Sequence, residues 1–172
     1  PADGVAPVIV DRDGLKITAF KVDHTPVSPA VGYRFDFMGR SIVISGDTVK
    51  SDNLIRFAKD ADLLMHEALS PTLVGIITDG ARKAGRDNVA KITVDILDYH
   101  TYPVQAAEAA QEAAVDMLVF HHIVPPLPLA PLEDVFMEGV SDAYDGPAVI
   151  AVAGDFWSLP AGSDDINHSE RL

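Results

Sequence analysis

Residues 41–48 read SIVISGDT, in which the apolar run IVI is followed by a serine, a glycine, a carboxylate and a hydroxyl. The run predicts a buried strand, and a side chain just after a strand is held by a fixed backbone while it remains free to reach a ligand. A carboxylate such as Asp47 can bridge two cations, because each of its oxygens can bind one metal ion. Taken alone, Asp47 is better explained as a cap for the turn or helix that follows.

The same arrangement recurs in three other places, each with a His after an apolar stretch. They are VDHTP at residues 22–26, HTYP at residues 100–103 and HHIVP at residues 121–125. His24 precedes Thr25-Pro26, and a proline pushes the residue before it out of helical geometry, so we expect His24 at a strand end. Adjacent side chains of a strand point to opposite faces, so only one of His121 and His122 can reach a given site. We favour His122 and expect His121 to support it or to pack.

A carboxylate and an imidazole form the other candidate pair. Glu67 follows His66 at the end of a predicted strand, and His100 precedes a helix that begins with proline. A carboxylate beside an imidazole tunes its basicity and fixes its tautomer, which a proton donor requires. The ordinary interpretation, a polar pair in a loop or helix, explains Glu67 and His66 equally well, and a surface loop explains His24 better than a metal site does.

Composition restricts the class of protein. The 172 residues are 48% apolar, which is enough for one domain with a real core. The formal charge of −13, from 26 acidic and 13 basic residues, repels phosphate backbones and disfavours nucleic acid as a partner. There are no cysteines, so thiolate chemistry, cysteine zinc sites and disulfides are excluded, and the compartment stays open. No apolar run approaches the ~18 residues of a membrane span.

The order of predicted elements is a strand meander followed by alternating helices and strands. Strands are expected at residues 15–22, 32–37, 41–45, 62–66, 117–120 and 148–153. Helices are expected at residues 51–59, 71–98 in two pieces broken around residues 85–87, 103–114 and 132–144. This order predicts a layered α/β (α+β) architecture with a mixed β-sheet and flanking helices over residues 1–160. A polar C-terminal tail is expected at residues 161–172.

Taken together, five segments resemble the C-terminal half of metallo-β-lactamase-fold hydrolases, in the branch with ribonuclease Z and arylsulfatase- and phosphodiesterase-like enzymes. The segments are VDHTPVSPAVGYRF at residues 22–35, SIVISGDT at 41–48, ADLLMHEA at 61–68, HTYPVQAAEAA at 100–110 and LVFHHIVPP at 118–126. Their order and approximate spacing agree over residues 15–126, with a weaker fit to about residue 160. The resemblance implies half of an αββα sandwich.

The resemblance also implies roles for single residues. His24, Asp47 and His122 correspond to metal ligands, with Asp47 as the bridging carboxylate. His100 corresponds to the proton-donating His, and Glu67 to the acid that orients it. The implied cofactors are two divalent metal ions, usually Zn²⁺, with Mn²⁺ or Fe as alternatives, which hold a hydroxide that attacks phosphorus or sulfur.

The family's His-x-His-x-Asp-His cluster does not occur in this sequence. We therefore expect the remaining ligands to come from an N-terminal half of the domain that lies before Pro1. The sequence also departs from ribonuclease Z at His-Thr-Tyr-Pro and at the Pro-Pro that follows His122, near which an Arg usually occurs in that enzyme. Residues 124–132, VPPLPLAPL, are expected to line a substrate entrance, to form a contact in a homodimer, or to be an ordinary proline-rich loop.

These departures and the acidic charge favour a metal-dependent hydrolase that acts on a small-molecule phosphate or sulfate ester. Three alternatives stay open. One is a ribonuclease Z-type tRNA 3′ endonuclease whose other half supplies a basic surface. Another is a non-enzymatic remnant that keeps the fold without metals, and the last is the same scaffold with iron for oxidative chemistry.

Overall fold

The computed structural model describes residues 2–170, and within them one mixed sheet of seven strands organises the chain. The strands lie in the sheet in the order of the sequence: β1 (Val8–Arg12), β2 (Leu15–Lys21), β3 (Val31–Phe37), β4 (Arg40–Ile44), β5 (Leu63–Leu69), β6 (Met117–Val124) and β7 (Ala148–Ile150). The first four are antiparallel neighbours, and β4 to β7 pair in parallel. The predicted mixed sheet is therefore confirmed, although β5 and β6 each run further than the sequence predicted.

Helices connect the parallel strands, as parallel pairing requires. They are α1 (Asp52–Ala58), α2 (Pro71–Lys83), α3 (Asp87–Asp95), α4 (Pro103–Ala113), α5 (Ala130–Met137) and α6 (Val140–Ala143), with a 3₁₀ turn at Ile96–Asp98. The predicted break near Gly85 separates α2 from α3. The single helix predicted at residues 132–144 is wrong, because Gly139 adopts a left-handed φ of 80° and divides it into α5 and α6.

The main core lies between the sheet and the layer of helices. Alanines 106, 107, 110 and 113 of α4 are fully buried, so this helix approaches the sheet closely. Phe20 of β2, Val43 of β4 and Leu118 of β6 come from the facing side of the sheet and belong to the same cluster. Because the helices collect on this one face, the fold is one sheet with one helical layer, as expected for half of an αββα sandwich.

The opposite face of the sheet is also apolar. Ile17, Phe35, Ile42, Leu63 and Met117 occupy successive cross-strand positions on it. The chain after β7 covers part of this face through the antiparallel pair β8 (Phe156–Ser158) and β9 (Asn167–Ser169), with Trp157, Leu159 and Ile166 packed against Leu63 and Met117. The polar tail predicted from residue 161 thus contains a short strand.

No helix of the described residues is both long enough and apolar enough to span a bilayer.

Gly46 turns the chain sharply after β4 and so determines where Asp47 lies. Its φ is +63°, in the left-handed region that favours glycine. A Cβ atom there would lie 2.4 Å from the carbonyl oxygen of Val31, a backbone atom that cannot move aside cheaply. The glycine in SGDT is therefore required by geometry.

We expect Gly46→Ala to lower the free energy of unfolding by about 2 kcal/mol or more, because it adds both a left-handed non-glycine residue and a backbone clash. Gly80→Ala is the matched control. Gly80 is exposed in α2 with open space around it, so the same substitution should stabilise the protein by about 0.5–1 kcal/mol. Urea unfolding of both variants measures the difference, and equal effects would show that Gly46 is not under steric constraint.

Candidate functional site

The predicted residues come together at the carboxyl-terminal ends of the parallel strands. Asp47 follows β4, Glu67 lies in the second half of β5, and His122 lies near the end of β6. His100 lies in the segment that enters α4, and His24 follows β2. The sheet thus brings five side chains from separate parts of the sequence to the same end of its strands.

Asp47 and His122 form the contact nearest to solvent. Nε2 of His122 lies 3.5 Å from Oδ1 of Asp47, and the two side chains are 52% and 41% exposed. Both groups are therefore close to each other and accessible to a ligand.

A bulge in β6 directs His122 to this position. Glu67 pairs with His121 and Ala68 pairs with Ile123, so His122 is an extra residue between two paired ones. Its φ of 44° is left-handed, which is uncommon for a residue with a side chain. Bulges of this kind commonly redirect a side chain beside a functional site.

His24 and His100 extend the cluster on the other side. The imidazole centroids of His24 and His100 are 5.0 Å apart, and those of His100 and His122 are 6.2 Å apart. Nδ1 of His24 lies 2.7 Å from the carbonyl oxygen of Tyr99. If Nδ1 carries the proton and donates it to this oxygen, Nε2 of His24 has a free lone pair for a metal ion, a common arrangement for metal-binding histidines.

Glu67 is the buried centre of the site. Its side chain is fully buried, and its Oε1 atom accepts hydrogen bonds from Nδ1 of His100 at 3.0 Å and from the backbone N–H groups of Thr48 and Thr101 at 3.1 and 3.2 Å. Donation from Nδ1 fixes the His100 tautomer, so Nε2 of His100 is left for chemistry. This is the orientation predicted for a His–carboxylate pair.

Charge and burial oppose each other at His100. Burial by itself would lower the pKa of His100, but the hydrogen bond to Glu67 and the negative charges of Glu67 and Asp47 outweigh it, so the pKa is raised. The His100 imidazole therefore keeps its proton more readily than an equally buried His without these partners.

Two further histidines lie beside Glu67 without joining the exposed cluster. His66 is fully buried, and its burial lowers its pKa. His121 is half-buried; burial and the neighbouring His122 lower its pKa, against the charges of Glu67 and Asp47. The strand predicted to end at His66 continues to Leu69, which places both His66 and Glu67 inside β5 rather than in a loop.

Sequence reasoning missed the backbone partners. The N–H groups of Thr48 and Thr101 hold Glu67, the hydroxyl of Thr101 donates to the carbonyl of Thr48 at 2.5 Å, and the carbonyl of Tyr99 orients His24. Thr48 and Thr101 lie in the quoted motifs, but only the fold shows that these two motifs contact each other.

The donor set is not complete. Within residues 2–170, no group of three His, Asp or Glu side chains is arranged to hold a metal ion on its own. The chain brings the predicted residues into one cluster, but as a partial ligand set.

Comparison with known proteins is consistent with this fold. Residues 3–123 match the family model of the beta-lactamase superfamily domain. The ribonuclease Z of Mycobacterium tuberculosis (strain H37Rv) is 38% identical over 117 residues, covering 68% of this chain and 39% of the relative. That of Mycobacterium marinum is 37% identical over 136 residues, covering 79% and 44%. The chain thus spans about two-fifths of the length of these curated relatives.

Solved structures agree on the fold. The metallo-β-lactamase fold protein YhfI from Bacillus subtilis superposes with a TM-score of 0.62 at 18% identity, over 98% of this chain and 54% of that one. The metallo hydrolase Igni18 from Ignicoccus hospitalis gives 0.53 at 15% identity, over 100% and 60%. The chain therefore belongs to the beta-lactamase superfamily and has the metallo-β-lactamase fold, in the branch that contains ribonuclease Z.

Proposed function

We propose that this chain supplies one side of a dinuclear metal centre that hydrolyses small phosphate or sulfate esters. The observation that carries the proposal is the exposed contact between Asp47 and His122, beside the edge-to-face rings of His24 and His100. A carboxylate and imidazoles brought together at strand ends are the ligand types that zinc prefers. Zn²⁺ is accordingly the proposed metal, with Mn²⁺ or Fe as the alternatives.

The fit of these residues to a metal rests on their free atoms. Nε2 of His24 is available once Nδ1 donates to Tyr99, and Asp47 and His122 present Oδ1 and Nε2 to each other across 3.5 Å. Two atoms at this separation can bind one ion with little movement, because each metal–ligand bond is ~2.0–2.2 Å long. His24, Asp47 and His122 would hold the metal ions, with Asp47 bridging.

When bound, a pair of divalent ions polarises the ester oxygen and lowers the pKa of water. His100 then has a separate role, because its Nδ1 is held by Glu67 and its Nε2 is free to protonate the leaving oxygen. Glu67 fixes the orientation of His100, and the raised pKa of His100 keeps a larger fraction protonated. The remaining ligands are proposed to come from an N-terminal half of the domain, which would pack on the apolar face that carries Ile17 and Phe35.

The acidic charge of −13 supports a small ester as substrate. The second candidate is endonuclease activity on precursor tRNA, favoured by the 38% identity to proteins named ribonuclease Z. A polyanionic RNA would then need a basic surface from outside this chain.

We expect Asp47→Ala to remove bound metal and to abolish turnover of the metal-loaded protein, because the bridging ligand is lost. Loss of a group that merely supports a ligand costs 10–100-fold, so the loss here should exceed about a hundredfold. Metal content by mass spectrometry and hydrolysis of a chromogenic phosphodiester measure the two effects. Asp79→Ala, an exposed carboxylate in α2, is the control and should behave as the unsubstituted protein. Retained metal and activity in Asp47→Ala would contradict the assignment.

We expect His100→Ala to leave metal content largely intact and to lower kcat by about 10²–10⁴, the range of a lost general acid. His168→Ala is the control, because His168 lies on β9 in the separate two-stranded sheet, against Trp157 and Asp155. If His100→Ala instead loses metal, His100 is a ligand and its role as proton donor is wrong.

Substrate choice separates the two candidate functions. We expect the metal-loaded protein, completed by the proposed N-terminal half, to hydrolyse a chromogenic phosphodiester or aryl sulfate and to leave precursor tRNA uncut, because the acidic surface of this chain repels RNA. Initial rates on the three substrates at low and high salt test this. Efficient cleavage at the 3′ end of the tRNA would favour the ribonuclease Z alternative instead.

A further inference from the structure

One oxygen of the central carboxylate is not accounted for by the site described above. All three hydrogen bonds to the Glu67 carboxylate end on Oε1. Its other oxygen, Oε2, is buried and has no hydrogen-bond partner within residues 2–170. Burial of a carboxylate oxygen without a partner destabilises the folded protein, so it calls for an explanation.

His121, on the neighbouring strand β6, also has an unpartnered polar atom. Its Nε2 atom is buried and also lacks a hydrogen-bond partner in the described part of the chain. Glu67 and His121 are direct neighbours in the register of β5 and β6, and parallel strands lie about 4.8 Å apart. Side chains at paired positions of adjacent strands share a face of the sheet, so the two unpartnered atoms lie on the same side.

Electrostatics indicates the same proximity. The negative charge of Glu67 acts on the His121 imidazole, and so does that of Asp47. Directly after this pair comes the bulge that turns His122 toward Asp47. His121 therefore holds the last regular position of β6 before the site, between the buried carboxylate and the exposed cluster.

We infer that His121 is a positioning residue that holds the second oxygen of Glu67 through one bridging water, which donates to both unpartnered atoms, and thereby keeps the carboxylate aligned on His100. When both oxygens are held, the Glu67 carboxylate can no longer rotate about its Cγ–Cδ bond. The Oε1 atom then stays in line with Nδ1 of His100, and Nε2 of His100 stays aimed at the site. As far as catalysis is concerned, this inference rests on the proposed function.

The first test needs neither metal nor substrate. In the wild-type chain we expect NMR to detect the Nδ1–H proton of His100, because hydrogen bonding to a buried carboxylate protects it from exchange with water. We expect His121→Ala to accelerate that exchange about tenfold, the effect of weakening one buried hydrogen bond. His121→Gln keeps a hydrogen-bonding group at a similar reach and should restore slow exchange, and His168→Ala should leave it unchanged.

Unchanged exchange in His121→Ala would overturn the inference, as would a folded His121→Gln with exchange as fast as in His121→Ala. If His121→Ala does not fold, the reciprocal measurement decides. Glu67→Gln should then shift the ring signals of His121 while those of His168 stay in place, and unshifted His121 signals would contradict the contact.

A double-mutant cycle on kcat separates positioning from general structural damage. His121→Ala should lower kcat about tenfold in the wild-type background and have no further effect in the His100→Ala background, because it acts only through His100. If the two substitutions instead lower kcat independently, so that their effects add, the inference is contradicted. If His100→Ala itself leaves kcat unchanged, the proposed function fails, while the exchange result still tests the contact between Glu67 and His121.

Discussion

The burial of the Glu67 carboxylate is the constraint on which the rest of the site depends. A charged group inside a sheet costs several kcal/mol to remove from water, and only well-placed donors offset that cost. Here the donors come from the loop after β4 and from the segment that enters α4. These hydrogen bonds hold both segments against β5, and they thereby fix the positions of Asp47 and His100.

The site divides its polar groups by depth. Glu67 and His66 are fully buried and held by hydrogen bonds within the protein. Asp47 and His122 lie at the surface, where they contact each other across 3.5 Å. Buried groups of this kind fix geometry, whereas exposed groups keep lone pairs available for an ion, and the roles proposed for these residues depend on that difference in depth.

Much of this arrangement was predictable from sequence, because it follows strand ends. SIVISGDT predicted both the strand and the placement of Asp47, and the geometry of Gly46 explains why that motif contains a glycine. The choice of His122 over His121 was reasoned from strand alternation, but the structure aims His122 by a bulge instead. A bulge depends on the register with β5, which no local pattern in β6 encodes.

Other features stayed out of reach for a related reason. The end predicted for β5 at His66 was too early, because a buried His and Glu inside a strand look like a loop when their partners are unknown. Those partners are the backbone groups of Thr48 and Thr101, which are 19 and 34 residues from Glu67. Almost every residue has the same backbone N–H and C=O groups, so the sequence does not indicate which of them will form a hydrogen bond.

The balance of charge near the site bears on the size of its substrate. Lys50, three residues after Asp47, is engaged by Glu108 and Glu112 at 2.9 and 2.7 Å, and these contacts offset its charge. Binding of a polyanion requires several cations along its path, because affinity comes from released counterions. A small ester needs only the charge of the metal ions at the reacting centre. In a chain with twice as many acidic as basic residues, the charge balance therefore favours the proposed small ester over a polyanion.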